Sequence, residues 1–162
     1  MPLGTTLPTS KRAIALVGIA ALASASAADA AGRTSLPGPS EQVVSSMKIE
    51  IEAEGATITA TLDDSPAARD FASLLPLTLT LDDYHATEKI SYLPRRLSIE
   101  GAPEGIDPSP GDLAYYAPWG NLAIFYRDFG YSRGLVKLGA IVAGGEALNV
   151  PGSVKATIRL AK

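Results

Sequence analysis

The 162-residue chain contains no cysteine, one histidine and few aromatic side chains. Without cysteine it forms no disulfide, and thiolate catalysis and cysteine-ligated metal sites are excluded. Aromatic residues make up only 6% of the sequence, yet five of them fall within residues 111–126, GDLAYYAPWGNLAIFY. A binding surface built from aromatic side chains is therefore most expected in this run.

The sequence also lacks a surplus of positive charge. It has 14 basic and 17 acidic side chains, a formal net charge of −3. Nucleic-acid binding depends on clustered Lys and Arg that displace counterions, so the composition argues against nucleic acid as a partner. The P-loop, G-x-G-x-x-G and H-E-x-x-H motifs are absent, which leaves nucleotide and zinc-protease chemistry without support.

The single histidine, His85, lies in LDDYHATEK beside Asp82 and Asp83. This spacing permits a weak metal site or a His–Asp pair, and any Ser-His-Asp triad would have to include His85. Structural metal sites normally need three or four ligands, and nothing else nearby supplies a nitrogen or sulfur. We therefore favour a solvated loop histidine and expect neither a metal nor a cofactor.

Residues 1–30 have the pattern of a signal peptide. Lys11 and Arg12 precede the uncharged apolar stretch 13–23, and Ala28-Asp29-Ala30 fits a small-x-small cleavage site. The apolar stretch is shorter than the about 20 residues that span a bilayer. We predict export across a bacterial-type membrane, to the periplasm or beyond. A retained anchor is the lesser alternative, and only that segment would then contact the membrane.

Residues 31–46, rich in Gly, Pro and Ser, indicate a flexible linker, and residues 47–162 are predicted to form one domain. Most of this domain alternates apolar and polar residues with the period of a β-strand. The predicted strands are 47–55, 57–62, 77–81, 88–93, 112–117, 121–127, 135–142 and 153–160. One helix is predicted between Ser65, which can cap it, and Pro76, which ends it. The pattern indicates a mostly β domain, either α+β or a barrel.

Strand alternation divides the aromatic run into two sets. Leu113 and Tyr115 share one face, which must fill the core, while Tyr116 lies on the other face. In the second strand Phe125 opposes the apolar core residues, and the turn APWGN places Trp119 at an exposed tip. Tyr116, Trp119 and Phe125 are therefore the side chains best placed to line a groove.

Two adjacent arginines, Arg95 and Arg96, follow Pro94 at the end of a predicted strand. Neighbouring side chains in extended backbone point to opposite faces, so one of the two could enter a groove while the other stays in solvent. Arginine is well suited to hold a carbonyl or carboxylate group.

Four segments together resemble the compact cyclophilin-like proteins of bacteria: DSPAARDFASLLPLTLTL (65–81), EKISYLPRRL (88–97), PSPGDLAYYAPWGNLAIFY (108–126) and GLVKLGAI (134–141). The resemblance spans essentially residues 47–161. It implies a closed, eight-stranded antiparallel barrel with one or two short helices.

Cyclophilins proper are peptidyl-prolyl isomerases, in which an arginine stabilises the twisted amide and aromatic side chains seat the proline ring. The resemblance makes Arg95 or Arg96 the nearest candidate for that arginine. It places Tyr116 and Ala117 near the groove rim and Phe125 at its floor.

Other isomerase features are missing from the sequence. Leu135 stands where cyclophilins place a histidine, and only Phe129 and Tyr131 lie near the position of an expected tryptophan. The resemblance therefore carries the fold, while the active site largely does not follow.

The favoured function is binding of a peptide segment or small molecule in a surface groove, without strong catalysis. The candidate ligand-binding residues are Tyr116, Ala117, Trp119, Phe125 and Tyr131. The alternative is a weak prolyl isomerase acting on exported polypeptides through Arg95 or Arg96. A third interpretation is a scaffold or oligomer contact, because exposed Tyr and Trp often mark interfaces.

Overall fold

The computed structural model describes residues 46–162. The predicted signal peptide and nearly all of the predicted linker lie outside the described residues, so both stay predictions. Within residues 46–162, no helix has the length and apolar character that a membrane crossing requires.

Eight strands close into a barrel, and two short strands pair beside it. In chain order the elements are β1 (Met47–Ala53), β2 (Ala56–Leu62), α1 (Pro66–Ala72), β3 (Leu77–Tyr84), β4 (Glu88–Tyr92), β5 (Gly105–Ile106), β6 (Asp112–Tyr116), β7 (Asn121–Phe125), β8 (Ser132–Arg133), β9 (Leu135–Ala143), a 3₁₀ turn (Gly145–Leu148) and β10 (Val154–Leu160). The barrel order is β1-β10-β3-β4-β7-β6-β9-β2, and β5 pairs with β8. Every pair is antiparallel. The predicted mostly β, eight-stranded antiparallel barrel is confirmed.

The first hairpin shows how alternation becomes structure. Ile49 and Ile51 are fully buried inside the barrel, while Glu50 and Glu52 face outward and pair with Arg159 of β10 at 2.8 Å each. The two-residue turn Glu54-Gly55 has positive φ at both positions, 49° and 82°. Such a turn matches the right-handed twist of the two strands that it joins.

The helix is shorter than the sequence indicates. Ser65 caps it as predicted, accepting a hydrogen bond from the Ala68 N–H at 3.1 Å. It ends at Ala72, before the half-buried Leu74 and Leu75. A proline disfavours helical geometry in the residue before it, and Pro76 thereby restricts Leu75. The buried face of α1, Ala67, Ala68 and Phe71, packs onto the barrel core.

A buried lysine closes one end of the barrel, where β3 ends and β4 begins. Lys89 is fully buried and lies opposite Ile124 on the inner side. Its Nζ donates to the Val150 and Gly152 carbonyls at 2.5 and 2.7 Å and lies 3.6 Å from the Asp83 carboxylate. Lys89 thus ties the loop before β10 to the barrel.

Tyr126 completes this polar cluster by donating to Asp83 at 2.5 Å. Burial, together with that bond, raises the pKa of Tyr126 to about 12, so its hydroxyl stays a donor at neutral pH. In this cluster the buried Lys89 ammonium has three oxygen partners. The Asp83 carboxylate also accepts the hydrogen bond from Tyr126. Buried charges are tolerated under such conditions.

We predict that Lys89→Met lowers the free energy of unfolding by about 2–4 kcal/mol, because it removes the ion pair with Asp83 and leaves the Val150 and Gly152 carbonyls without their donor. Lys155→Met, which removes an exposed lysine from β10, is the matched control and should change stability by less than about 0.5 kcal/mol. Urea unfolding of both variants measures the difference. Equal losses would show that Lys89 has no special structural role.

Candidate binding groove

The outward face of β4, β7, β6 and β9 carries a concave apolar surface. The strand register brings Glu88 opposite Phe125 and Ile90 opposite Ala123. On the same face, Ala114 pairs with Ala123. Because alanine side chains are short, Ala114 and Ala123 leave a depression in the middle of this face. The larger side chains around them form its walls.

A second apolar cluster forms on this outer face, separate from the barrel core. Its fully buried members are Ala114, Ala123, Phe125 and Leu135, with Ile90, Ile106 and Tyr116 packed against them. Tyr115, by contrast, belongs to the barrel core, where its hydroxyl accepts the Leu97 N–H at 3.2 Å. The division of the aromatic run by strand alternation is therefore correct.

Trp119 forms one wall from the turn between β6 and β7. Its ring packs edge to face against Tyr84, with centroids 5.7 Å apart, and against Tyr116 at 5.4 Å. Phe129 packs on Phe125 at 5.7 Å on the other side. Trp119 and Phe129 remain 46% and 48% exposed, so their rings are accessible to a ligand.

The turn that carries Trp119 is held from several sides. The Gly120 N–H donates to the Tyr116 carbonyl at 2.8 Å, and Gly120 has a φ of +77°. Arg96 donates from Nη1 to the Ala117 carbonyl at 2.6 Å. These bonds position the indole ring before any ligand arrives.

These walls enclose a pocket of ≈ 180 Å³, which we call the aromatic groove. It is lined by Tyr84, Glu88, Ile90, Tyr116, Trp119, Asn121, Phe125, Phe129, Ser132 and Leu135.

Two polar side chains in the aromatic groove are unusual. Burial raises the pKa of Glu88 from 4.5 to about 7, and no ion pair joins this carboxyl to another of the residues 46–162. Asn121 is 2% exposed; its Nδ2 donates to the Leu122 carbonyl at 3.2 Å, but its Oδ1 is buried with no hydrogen-bond partner in the described chain. Such unpaired buried acceptors are rare and often mark functional sites.

The structure brings together three of the five predicted ligand-binding residues, Tyr116, Trp119 and Phe125. Ala117 and Tyr131 do not line the aromatic groove. Ala117 supports the Trp119 turn through its backbone, and Tyr131 is 63% exposed on the segment before β8. A role for any of the five in ligand binding stays a prediction.

Neither predicted catalytic arginine lines the aromatic groove. Arg95 makes a bidentate contact with Asp70 on α1, at 2.9 and 2.6 Å, and a third bond to Ser73. Arg96 donates hydrogen bonds to the carbonyls of Ala117 and Pro118 in the turn that carries Trp119. The two guanidinium groups do diverge, as expected of neighbours, but each binds protein atoms outside the aromatic groove.

The lone histidine occupies the turn between β3 and β4. His85 is exposed, has a φ of +51° and packs edge-on against Tyr84. Among residues 46–162 no group of three or more His, Cys, Asp or Glu side chains is arranged to hold a metal ion.

Ser132 lies in Gly130-Tyr131-Ser132-Arg133-Gly134, a G-x-S-x-G match that sequence reasoning overlooked. A nucleophile elbow requires a sharp strand-to-helix turn. Here Ser132 lies on the two-residue strand β8, paired with Ile106, and His85 does not line the aromatic groove. The match therefore lacks the structure that the chemistry needs.

Tyr84, Glu88, Asn121 and Phe129 line the aromatic groove without having been predicted as ligand-binding residues. Alternation in EKISY places Glu88 on the same face as Ile90 and opposite to Lys89, but only the structure shows that Lys89 is the residue that faces inward. For Asn121, the signal was that it shares a strand face with Phe125. The position of Tyr84 depends on the pairing between β3 and β4, so it could not be predicted from the local sequence.

The structure defines a β-barrel domain with the aromatic groove on its outer wall. The model of the Cyclophilin-like family matches residues 51–159. The chain belongs to that family.

The solution structure of a hypothetical protein from Archaeoglobus fulgidus is similar to this chain, with a TM-score of 0.58 and 21% sequence identity. The similarity covers 75% of this chain and 99% of the archaeal one, and at this identity it concerns the fold alone. No curated protein matches the chain at a significant level.

We predict that Glu88 makes stability depend on pH. Because its pKa is higher in the folded state, the stability contributed by the protonated carboxyl is complete below pH 4.5 and is lost as the pH rises to about 7. Between about pH 4.5 and pH 8, the free energy of unfolding of the wild-type chain should fall by about 2 kcal/mol relative to Glu88→Gln, a value reduced for partial solvent exposure. Urea unfolding across this range tests it, and a constant difference would contradict it.

We also predict a structural role for Arg95. Its hydrogen bonds, with one from the Ser98 N–H, lower the pKa of Asp70 from 3.8 to about 2, so this contribution is present above pH 4 and is lost as the pH falls towards 2. Arg95→Gln should lower the midpoint temperature of unfolding at pH 7, by a small amount because solvent screens the half-exposed pair, and should have almost no effect at pH 2.

The matched control for Arg95→Gln is Arg133→Gln, which breaks a fully exposed pair with Glu104. This change should have no measurable effect on thermal unfolding at either pH. A similar loss in both variants would argue that Arg95 does not hold α1 in place.

Proposed function

We propose that this cyclophilin-like domain binds a small ligand, or one side chain of a peptide segment, in the aromatic groove, without strong catalysis. The observation that carries the proposal is the accessible aromatic wall of Trp119, Tyr84 and Phe129 above a buried apolar floor. Exposed aromatic side chains around a concavity with a few polar groups are typical of ligand sites.

The size of the aromatic groove limits what it can hold. Its ≈ 180 Å³ is below the about 300–1,000 Å³ of sites that take drug-sized ligands. It corresponds to about six water molecules at about 30 Å³ each. We infer that the occupant is a single side chain or a molecule of similar size.

Prolyl isomerisation ranks second. The barrier to amide rotation is about 18–20 kcal/mol, and a positioned cationic donor would be a sensible way to lower it. The lining of the aromatic groove contains no arginine, lysine or histidine, and Arg96 donates to the Ala117 and Pro118 carbonyls instead. These contacts favour binding over catalysis.

We retain export as part of the proposal. It rests on residues 1–30, whose pattern is that of a signal peptide. The partner we expect is therefore a peptide or small molecule met outside the cytoplasm.

Binding can be tested by NMR titration of the ¹⁵N-labelled full chain with a library of small fragments and capped dipeptides. We predict that the binders shift the amide signals of Trp119, Asn121 and Phe125. Trp119→Ala should weaken them about tenfold or more, because a buried contact with an indole ring is among the strongest in interfaces.

Tyr92→Ala is the matched control, since Tyr92 is a 65% exposed aromatic on β4 that does not line the aromatic groove. It should leave the affinities unchanged. Binders whose signals map elsewhere, or equal losses in the two variants, would overturn the proposal. If the chain shows strong activity in a proline-peptide assay, and if Arg96→Ala abolishes that activity, the isomerase alternative is favoured instead.

A further inference from the structure

Two polar groups of the aromatic groove are acceptors without a partner in the described chain. Glu88 contributes a carboxyl with no ion-pair partner among the described residues, and Asn121 contributes a buried Oδ1 that accepts nothing there. The amide of Asn121 cannot simply be reversed, because its Nδ2 already donates to the Leu122 carbonyl at 3.2 Å. A ligand that brings N–H or O–H donors would satisfy both groups.

Two cations close to the aromatic groove, Lys89 and Arg96, are committed to other partners. Lys89 follows Glu88 directly, but its Nζ lies on the inner side of the barrel between two carbonyls. Arg96 donates to the Trp119 turn. The positive charge that Glu88 lacks is therefore not supplied by these side chains.

Aromatic rings add a second attraction for positive charge. Trp119 meets Tyr84 and Tyr116 edge to face and is still 46% exposed, so part of its ring face is open to a ligand. A cation within about 6 Å of such a face is attracted by the ring quadrupole, and Trp gives the strongest attraction.

We propose that the aromatic groove selects a protonated amine carried on a short apolar stem, with the ammonium group between Glu88 and the ring of Trp119. This inference rests on the proposed function and adds the chemical class of the ligand. The apolar stem would lie on Ile90, Phe125 and Leu135. A carboxylate ligand is disfavoured by Glu88, and a neutral alcohol of the same size gains no charge attraction.

Trp119 is the sole tryptophan of the chain, so its fluorescence reports directly on the aromatic groove. The full chain is titrated at pH 8.5, where Glu88 is ionised, with butylammonium, butanol and butyrate at constant ionic strength. We expect butylammonium to bind about tenfold more tightly than butanol, and butyrate to bind most weakly. Equal affinities for the three probes would overturn the amine assignment.

Two variants test the named contacts. Glu88→Gln should weaken butylammonium about tenfold and leave butanol unchanged, whereas Glu104→Gln, which neutralises a 77% exposed carboxylate outside the aromatic groove, should leave both unchanged. Equal effects of Glu88→Gln and Glu104→Gln would overturn the contact with Glu88.

The amine could come from a free small molecule or from a lysine side chain of a peptide. Nα-acetyl-lysine N-methylamide and its Nε-acetylated form separate these sources. Tighter binding of the lysine amide than of butylammonium identifies a peptide, and tighter binding of butylammonium identifies a free amine. In either case the Nε-acetylated form should bind about tenfold more weakly than the unmodified amide, and equal binding of these two would overturn the proposal.

The proposed function can fail separately from this inference. If butanol and the dipeptide library bind at the aromatic groove as well as butylammonium does, the groove binds ligands but has no preference for amines. If no probe changes either the fluorescence of Trp119 or the NMR signals of the aromatic groove, the proposed function itself fails, and the amine preference fails with it.

Discussion

Closure of the barrel is the constraint on which the rest of the structure depends. β1 pairs with both β2 and β10, so the sheet has no free edge and one face of every strand must fill the interior. The inward side chains, such as Ile49, Ile51 and Tyr115, pack there completely. Side chains therefore fill the interior, and the aromatic groove lies on the outer wall.

The same alternation places two neighbouring charged residues of β4 in different environments. Lys89 turns inward to join Asp83 and the carbonyls of the loop before β10, while Glu88, one residue earlier, turns outward into the aromatic groove. One charge is neutralised by the fold and contributes to stability. The other has no ion-pair partner among the described residues, and burial raises its pKa to about 7.

Much of the fold could be predicted because its signals are local. Period-2 alternation places Ile49 and Ile51 in the core, and Ser65 and Pro66 mark the start of the helix. Because neighbouring side chains of a strand point to opposite faces, the same alternation puts Tyr115 and Tyr116 on different sides of the sheet. The aromatic groove was predicted only in part for the opposite reason. Tyr84, Glu88 and Trp119 come from three segments that meet through the pairing of β3 with β4 and of β4 with β7.

By itself, the sequence determined most of the barrel strands, the inward faces of strands such as β1 and β6, and several aromatic side chains that lie outside the core. Each of these follows from short-range periodicity. Only the tertiary structure decided how the charged groups are used. Arg95 binds Asp70, which lies 25 residues away in the sequence, and Arg96 binds the turn that carries Trp119. Neither arginine therefore enters the aromatic groove. Partners of charged side chains are set by long-range geometry, because long flexible stems reach whichever acceptor the fold brings near.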